Sequence, residues 1–477
     1  VKLSALAQSG REPPLPLAVA LDAGRTPLEI QSWLRVLPAQ RYVGKALWQG
    51  KAVLAKLFVG RKAARHWRAE RQGALLLESS PLPTPKLLAS GEITGQGAWL
   101  LFDWLEGSQS LLQCWEALEH EALLSGAQQS LLQQALQALG KLHAHGLWQD
   151  DLHLDNLLYA QGNIWLIDGG GVRVQTLGKP LASKRALDNL ALFFAQLPLS
   201  LSAFARQLLP FYQQENPAAR LQEAALHKVV QQWRNKRLST YLKKITRDCS
   251  EFAVQRSSSQ LCVIRREDEA QLQPLMAELD TQIENGQRYK QGGSASVSRI
   301  DWQGRALVAK RYNLKSRWHW LRRCLRESRA LHSWREGHRL QMLGMATARP
   351  LALLEKRYLG LRSTAYLLCE HCAGVDLLAC LSPYLHSAPP EKYIKALEQL
   401  LASLITARIS HGDLKGHNLL WQGDKWLLID LDAMRQHRCG RRFARAFTRD
   451  RGRLLRNFPE DSPLYLLLDK RLPNLPR

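Results

Sequence analysis

Asp151-Leu152-His153-Leu154-Asp155-Asn156, followed by Ile167-Asp168-Gly169-Gly170, is one version of a pattern that the chain carries twice. The other is His411-Gly412-Asp413-Leu414-Lys415-Gly416-His417-Asn418, followed by Ile429-Asp430-Leu431-Asp432. In both, an Asn lies five residues after an Asp, and a second Asp lies twelve residues after that Asn. Acid, amide and acid at this spacing are the parts that phosphoryl transfer requires. One carboxylate orients a hydroxyl and takes its proton, while an amide and a carboxylate supply oxygen ligands to magnesium. Between the Asn and the second Asp, Gln161-Gly162-Asn163 and Gln422-Gly423-Asp424 read as turns. They lead into short apolar strands, Ile164–Ile167 and Trp426–Ile429, each of which delivers its Asp at the end.

The repetition extends upstream. Lys51–Phe58 and Arg305–Tyr312 each read as a strand carrying a lysine, Lys56 and Lys310, and each follows a Trp-Gln-Gly turn, so both are expected as second strands of hairpins. A basic helical stretch comes next, with Trp67-Arg68-Ala69-Glu70 in the first half and Trp334-Arg335-Glu336 in the second. Pro83-Thr84-Pro85 and Thr347-Ala348-Arg349-Pro350 lead into a further strand, and then a leucine stripe marks a core helix in each half: Leu132, Leu136, Leu139, Leu142 and Ile394, Leu397, Leu401, Leu404. The lysine precedes the first acid of the pattern by 95 residues in one half and 103 in the other.

These residues sort by chemistry. Asp151 and Asp413 fit the base that receives the hydroxyl proton. Asn156 with Asp168, and Asn418 with Asp430, fit the metal. Lys56 and Lys310 fit the ATP phosphates, with Glu70 and Glu336 expected to pair with them and Glu327 a rival in the second half. His153 and Lys415, each two residues after the base, are placed to steady the transferring phosphate. Gly292 and Gly293, in Gln291–Ser296, would let the backbone approach phosphates, whereas the first half has only Tyr42-Val43-Gly44 there.

A chain of 477 residues exceeds a single ordinary core. Lys and Arg number 66 against 42 Asp and Glu, a net charge of +24 that favours an anionic partner without choosing one. Nucleic acid rests on charge alone and is not expected. No apolar run approaches the roughly eighteen residues of a membrane span, and the opening residues do not read as a secretory signal, so a cytoplasmic location is expected. The eight scattered cysteines read as reduced thiols, and Cys369 and Cys372 lack the second ligand pair a structural zinc needs. Arginines crowd 317–335 and 441–456; their forked geometry suits phosphates, and the fifteen tryptophans offer sugar stacking or interfacial anchoring.

In its order of elements the chain resembles the protein-kinase-like fold, and within it the bacterial lipopolysaccharide core kinases. The resemblance rests on residues 151–156, 83–85, 246–249 and 411–413. It implies an α+β chain of two tandem bilobal kinase-like domains, each with a small antiparallel-sheet N-lobe and a helical C-lobe, the second C-lobe shortened. The domains are expected at 1–249 and 286–477, with 250–285 connecting them. The implied activity is ATP- and Mg2+-dependent phosphorylation of a heptose or Kdo hydroxyl on the lipopolysaccharide core glycolipid, with peripheral contact at the cytoplasmic face of the inner membrane. There are departures: Gln149 stands where kinases carry His, and Asp168-Gly169-Gly170 and Asp430-Leu431-Asp432 replace Asp-Phe-Gly. Neither half has the Ala-Pro-Glu element that supports peptide binding in protein kinases, which favours a glycan or small-molecule acceptor. A non-catalytic scaffold for core assembly and a small-alcohol phosphotransferase are the alternatives.

Overall fold

The computed structural model describes residues 1–477 except 22–26, 119, 291–294, 315, 317, 319, 322, 323, 476 and 477. The chain is α+β and divides into two compact units. One comprises residues 1–197 and 201–234, the other 198–200 and 235–477. The first begins with an antiparallel sheet whose strands are β1 (Leu17–Val19), β2 (Leu28–Leu37), β3 (Arg41–Trp48), β4 (Lys51–Phe58), β5 (Leu87–Ile93) and β6 (Gly97–Asp103). Their order in the sheet is β1-β2-β3-β4-β6-β5. The Trp48-Gln49-Gly50 turn closes the β3–β4 hairpin, pairing Trp48 with Lys51, because Gln49 and Gly50 both adopt the positive φ that a two-residue hairpin turn demands.

After the sheet come β7 (Gln109–Ser110), the helix Gly126–Ala144, β8 (Leu147–Gln149), β9 (Leu157–Ala160), β10 (Asn163–Leu166) and β11 (Val172–Val174). The helix starts where Ser125 accepts the Gln128 N–H, and it buries Leu132, Leu136, Leu139 and Leu142 completely. Each such side chain contributes about 1.5–3 kcal/mol of burial, and this stripe anchors the loops that follow. The ribbons β10-β9-β7 and β11-β8 then present the loop 150–156 and the segment 167–171. Helices Ser183–Phe194, Ala205–Glu215 and Glu223–Lys244 complete the lobe, the last of them passing into the second unit at residue 235.

The second unit contains β12 (Phe252–Arg256), β13 (Gln260–Arg265), β14 (Gln287–Lys290), β15 (Ala295–Trp302), β16 (Arg305–Tyr312), β17 (Pro350–Tyr358) and β18 (Leu361–Glu370) in the order β12-β13-β17-β18-β16-β15-β14. Five consecutive members of each sheet follow one scheme: β2-β3-β4-β6-β5 and β14-β15-β16-β18-β17. Downstream, β19 (Val375–Asp376), β20 (Ile409–Ser410), β21 (Leu419–Gln422), β22 (Lys425–Leu428) and β23 (Arg435–Gln436) form ribbons β19-β21-β22 and β20-β23, the same scheme as β7-β9-β10 and β8-β11. Among the described residues, two α-helices follow Asp430, Gly440–Leu455 and Pro463–Arg471.

Residues 250–285, expected as a connector, are built into the second unit instead. β13 pairs with both β12 and β17, and the helix Glu269–Asn285 buries Leu272, Leu275, Met276, Leu279 and Ile283. That apolar stripe has helical spacing, and the surrounding Glu, Gln and Ser masked it in the sequence.

Candidate active site

In each unit a strand-borne lysine meets the Asp at the end of a short strand. Lys56 Nζ lies 3.1 Å from Asp168 Oδ1, and Lys310 Nζ lies 2.5 Å from Asp430 Oδ1. Both aspartates adopt left-handed backbone, with φ of 66° and 58°. That conformation is costly for a residue with a Cβ, and strain of this kind clusters at functional sites. The loops before them are held by matching bonds. Asn156 donates to the Asp151 carbonyl at 3.1 Å and Asn418 to the Asp413 carbonyl at 2.8 Å. Each Asn carbonyl in turn accepts from Ile167 or Ile429 N–H at 3.0 Å. Thr84 and Thr347 donate to the Leu166 and Leu428 carbonyls, which explains the threonine in the two upstream loops.

The expected partner of the lysine is present in one unit and absent from the other. Glu70, buried in the helix Ala63–Glu78, hydrogen-bonds Lys56 and also accepts the N–H groups of Gly169 and Gly170, both at 3.1 Å. In the second unit Glu336 does not reach Lys310. It is buried against Arg339, at 2.8 Å, while Glu327 pairs with Arg335. Glu70 is three residues after Trp67, but Glu336 is two after Trp334. One residue of offset turns a helical side chain by about 100°, so Glu336 faces Arg339 and not Lys310.

The missing carboxylate comes from Asp432. It receives Lys310 at 2.9 Å, Arg329 at 2.5 Å, the Tyr312 hydroxyl at 2.6 Å and the Ser333 hydroxyl at 2.7 Å. Burial alone would raise its pKa, but Lys310 and the two hydroxyls hold it at about 2. Counting from the strand-end Asp, Asp432 corresponds to Gly170. The second carboxylate on the lysine thus comes from a helix in one unit and from the loop after the strand-end Asp in the other. The glycines of the first unit also permit close approach: a Cβ on Gly73 would overlap the Gly169 carbonyl, whereas in the second unit Leu431 fills the space beside Gly337.

The two candidate bases differ in charge environment. In the second unit Lys415 Nζ is 3.0 Å from Asp413 Oδ2 and Arg453 is 3.3 Å from Oδ1. Against burial, these cations hold Asp413 below the usual carboxylate range. In the first unit one oxygen of Asp151 packs against Gly171, and that burial together with the Asp168 charge pushes its pKa up. His153, exposed nearby, pulls weakly in the other direction. For Asp168, the Lys56 ammonium outweighs burial and, with Arg41 3.7 Å away, keeps the carboxyl far below its ordinary range. Lys56 itself is buried, yet Glu70 and Asp168 overcome that penalty and raise its pKa.

Gln149 does the work of His411. Its Nε2 donates to the Ile167 and Asp168 carbonyls at 2.6 and 3.0 Å, and His411 Nε2 makes a 3.0 Å bond to the Ile429 carbonyl. His411 is buried, which lowers its pKa and leaves it neutral. Its loop is further held by Asp450, which accepts the His411 N–H at 2.7 Å and the Gly412 N–H at 3.0 Å. Sequence reading missed Asp432, Arg329, Arg453, Asp450 and Arg41. Asp432 carried a visible signal as the second acid of Asp430-Leu431-Asp432, and Arg329 and Arg453 lay unassigned within the arginine clusters of 317–335 and 441–456.

In the second unit Lys310, Lys415, Asn418, Asp430 and Asp432, with the β18 exit around His371, line a cleft of about 770 Å³, a size suited to a small-molecule ligand. Gly292 and Gly293 lie outside the described residues. In the first unit the corresponding β2–β3 connection is the short turn Pro38–Gln40, with Ala39 at positive φ, and Arg41 immediately after it reaches Glu70 and Asp168 at 3.8 and 3.7 Å. Asn418 spends its amide N–H on the Asp413 carbonyl, which leaves its oxygen, with the Asp430 carboxylate, as hard donors of the kind magnesium takes; water and phosphate would supply the rest. Among the described residues no three His, Cys, Asp or Glu side chains gather as a self-sufficient metal site.

Residues 276–463 match the lipopolysaccharide kinase (Kdo/WaaP) family. A search of curated proteins gave no match. Among solved structures, WaaP in complex with acyl carrier protein is similar at 16% identity and a TM-score of 0.34, over 43% of this chain and 89% of that one.

Proposed function

We propose, from the lipopolysaccharide kinase match over residues 276–463, that this chain phosphorylates a sugar hydroxyl, heptose or Kdo, of the lipopolysaccharide inner core, and that the second unit performs the transfer. The observation that carries this reading is the convergence of Lys310, Lys415, Asn418 and Asp430 on one cleft inside the matched segment, with Asp413 next to it, bonded through its carbonyl to Asn418 and held ionised between Lys415 and Arg453. ATP supplies the phosphoryl group; Asn418 and Asp430 would hold Mg2+, which would supply charge neutralisation at the phosphate oxygens. Asp413 orients the acceptor hydroxyl and receives its proton as the oxygen bonds to the γ-phosphorus and the bond to the β-phosphate oxygen breaks. Lys310, fixed by Asp432, faces the phosphates, and Lys415 stands beside the transferring group. The partner is the core glycolipid, met at the cytoplasmic face of the inner membrane.

For the first unit, the short Pro38–Gln40 turn and the placement of both Lys56 and Arg41 on Asp168 favour a non-transferring role, as a scaffold or regulator that retains Lys56, Glu70, Asn156 and Asp168. The test is incubation of purified chain with ATP, Mg2+ and core glycolipid, read by mass. A gain of one phosphate on a core sugar is expected. Phosphorylation of soluble alcohols with none on glycolipid would overturn the assignment.

A further inference from the structure

The most exposed large hydrophobic side chains of the described residues are Leu359, Leu325, Trp318 and Tyr358, at 82, 79, 74 and 66%. All four belong to the second unit, and they come from two segments joined through one residue. Arg362 donates its N–H to the Cys324 carbonyl at 3.2 Å and its guanidinium to the Leu325 and Arg326 carbonyls, while Trp320 Nε1 donates to the Arg362 carbonyl at 2.9 Å. Leu359 lies three residues before Arg362, at the tip of the β17–β18 hairpin. Leu321, also exposed, follows Trp318 by three residues, both in helical backbone, and Leu325, in a turn, follows four residues later.

The hairpin tip is expensive in two ways. Leu359 and Gly360 both adopt positive φ, 47° and 82°, the form that favours Asn, Asp or Gly at the first position. Three other such turns in this chain place a polar Gln there, Gln49, Gln161 and Gln303. At 359 a leucine stands in strained backbone and in water. The tip is held firmly, since Gly360 N–H bonds the Ser258 carbonyl and Arg357 N–H bonds the Ser259 carbonyl, so the leucine is displayed by a braced support.

Basic residues predominate in the sequence beside this patch, although Lys356 pairs with Asp280 and Arg357 and Arg362 with Glu355. The sequence Ser316-Arg317-Trp318-His319-Trp320-Leu321-Arg322-Arg323-Cys324-Leu325-Arg326 holds four arginines and no acid, and Lys356 and Arg326 are exposed. Protruding Trp, Leu and Tyr in an arginine-rich stretch of sequence match an anionic lipid interface, where apolar side chains enter the headgroup boundary and basic ones meet phosphate. We infer that Trp318, Leu321, Leu325, Tyr358 and Leu359 form a docking surface by which the second unit inserts into an anionic bilayer. The surface uses no residue of the cleft, and it stands whether or not phosphoryl transfer does.

Co-sedimentation of the full chain with vesicles tests it, using phosphatidylcholine alone and with about one third phosphatidylglycerol. The wild type is expected to sediment with the anionic vesicles, less so at high salt, and a W318S/L325S/L359N variant to lose at least about tenfold in partitioning. L466S, which removes a leucine exposed at 59% in another element, should leave binding unchanged. The triple variant should melt no lower than wild type, since it removes only exposed side chains and relieves position 359, so lost binding cannot be ascribed to unfolding. Absence of wild-type binding, retention by the triple variant, or equal salt-insensitive binding to neutral vesicles would overturn the inference. A concentration-dependent dimer abolished in the triple variant, without vesicle binding, would assign the surface to a second copy instead.

Discussion

The two units hold their lysines by different routes. In the first, the carboxylate comes from a helix, and a loop of glycines closes onto that helix through Glu70 and the Gly169 and Gly170 N–H groups. In the second, the loop provides Asp432, which gathers Lys310, Arg329, Tyr312 and Ser333. The same ion pair is built from opposite sides of the cleft. What this teaches is that the lysine's anchor is a geometric requirement met by whichever element faces it. A second contrast follows at the base: Asp413 sits between two cations, whereas Asp151 sits against Gly171 and near a second acid.

The comparison breaks most visibly at the lysines. Lys310→Met should lower phosphoryl transfer by about 10²–10³-fold, because a preorganised cation at the phosphates is lost, while Lys56→Met should leave transfer within about threefold. Steady-state rates on core glycolipid check both. Equal losses would mean that the units share the reaction.

The anchors sharpen it next. Asp432→Asn should raise the KM for ATP about tenfold, since Lys310 and Arg329 lose their common carboxylate. Glu336→Gln should leave that KM unchanged and lower the melting temperature instead, because its buried partner Arg339 loses its countercharge. If Glu336→Gln behaves like Asp432→Asn, the exchange of helix and loop carboxylates is wrong.

A smaller effect separates the bases by stability. The folded pKa of Asp413 is depressed, so its ionised form stabilises the fold above the unfolded carboxylate pKa, a contribution lost as pH falls through the folded value. That of Asp151 is raised, so its favourable contribution is present below the unfolded pKa and lost as pH rises through the folded value. At neutral pH, calorimetry should therefore show Asp413→Asn lowering the melting of its unit by about 1–3 °C, and Asp151→Asn leaving its unit unchanged or slightly more stable. The smallest expected effect is at His411. Because Gln149 makes the equivalent bond to Ile167, His411→Gln should keep the transfer rate within about threefold.

Much of this was legible in the residues. The strands Lys51–Phe58 and Arg305–Tyr312 were bounded by their Trp-Gln-Gly turns, and the lysine–aspartate meetings followed from strand order. What escaped was angular or distributed. The one-residue offset between Glu70 and Glu336 is small in a sequence and about 100° on a helix. Asp432 was visible but had no assigned partner, because its four contacts come from a strand and a helix about a hundred residues upstream. Residues 250–285 looked like a linker because polar residues outnumber the apolar stripe that the sheet buries.

The most direct test of the account is phosphate transfer to core glycolipid by Asp413→Asn and Asp151→Asn side by side. The account predicts a fall of about 10²–10⁴-fold in the first, the usual worth of a positioned base, and a near wild-type rate in the second. Full activity in Asp413→Asn, or loss confined to Asp151→Asn, would contradict it.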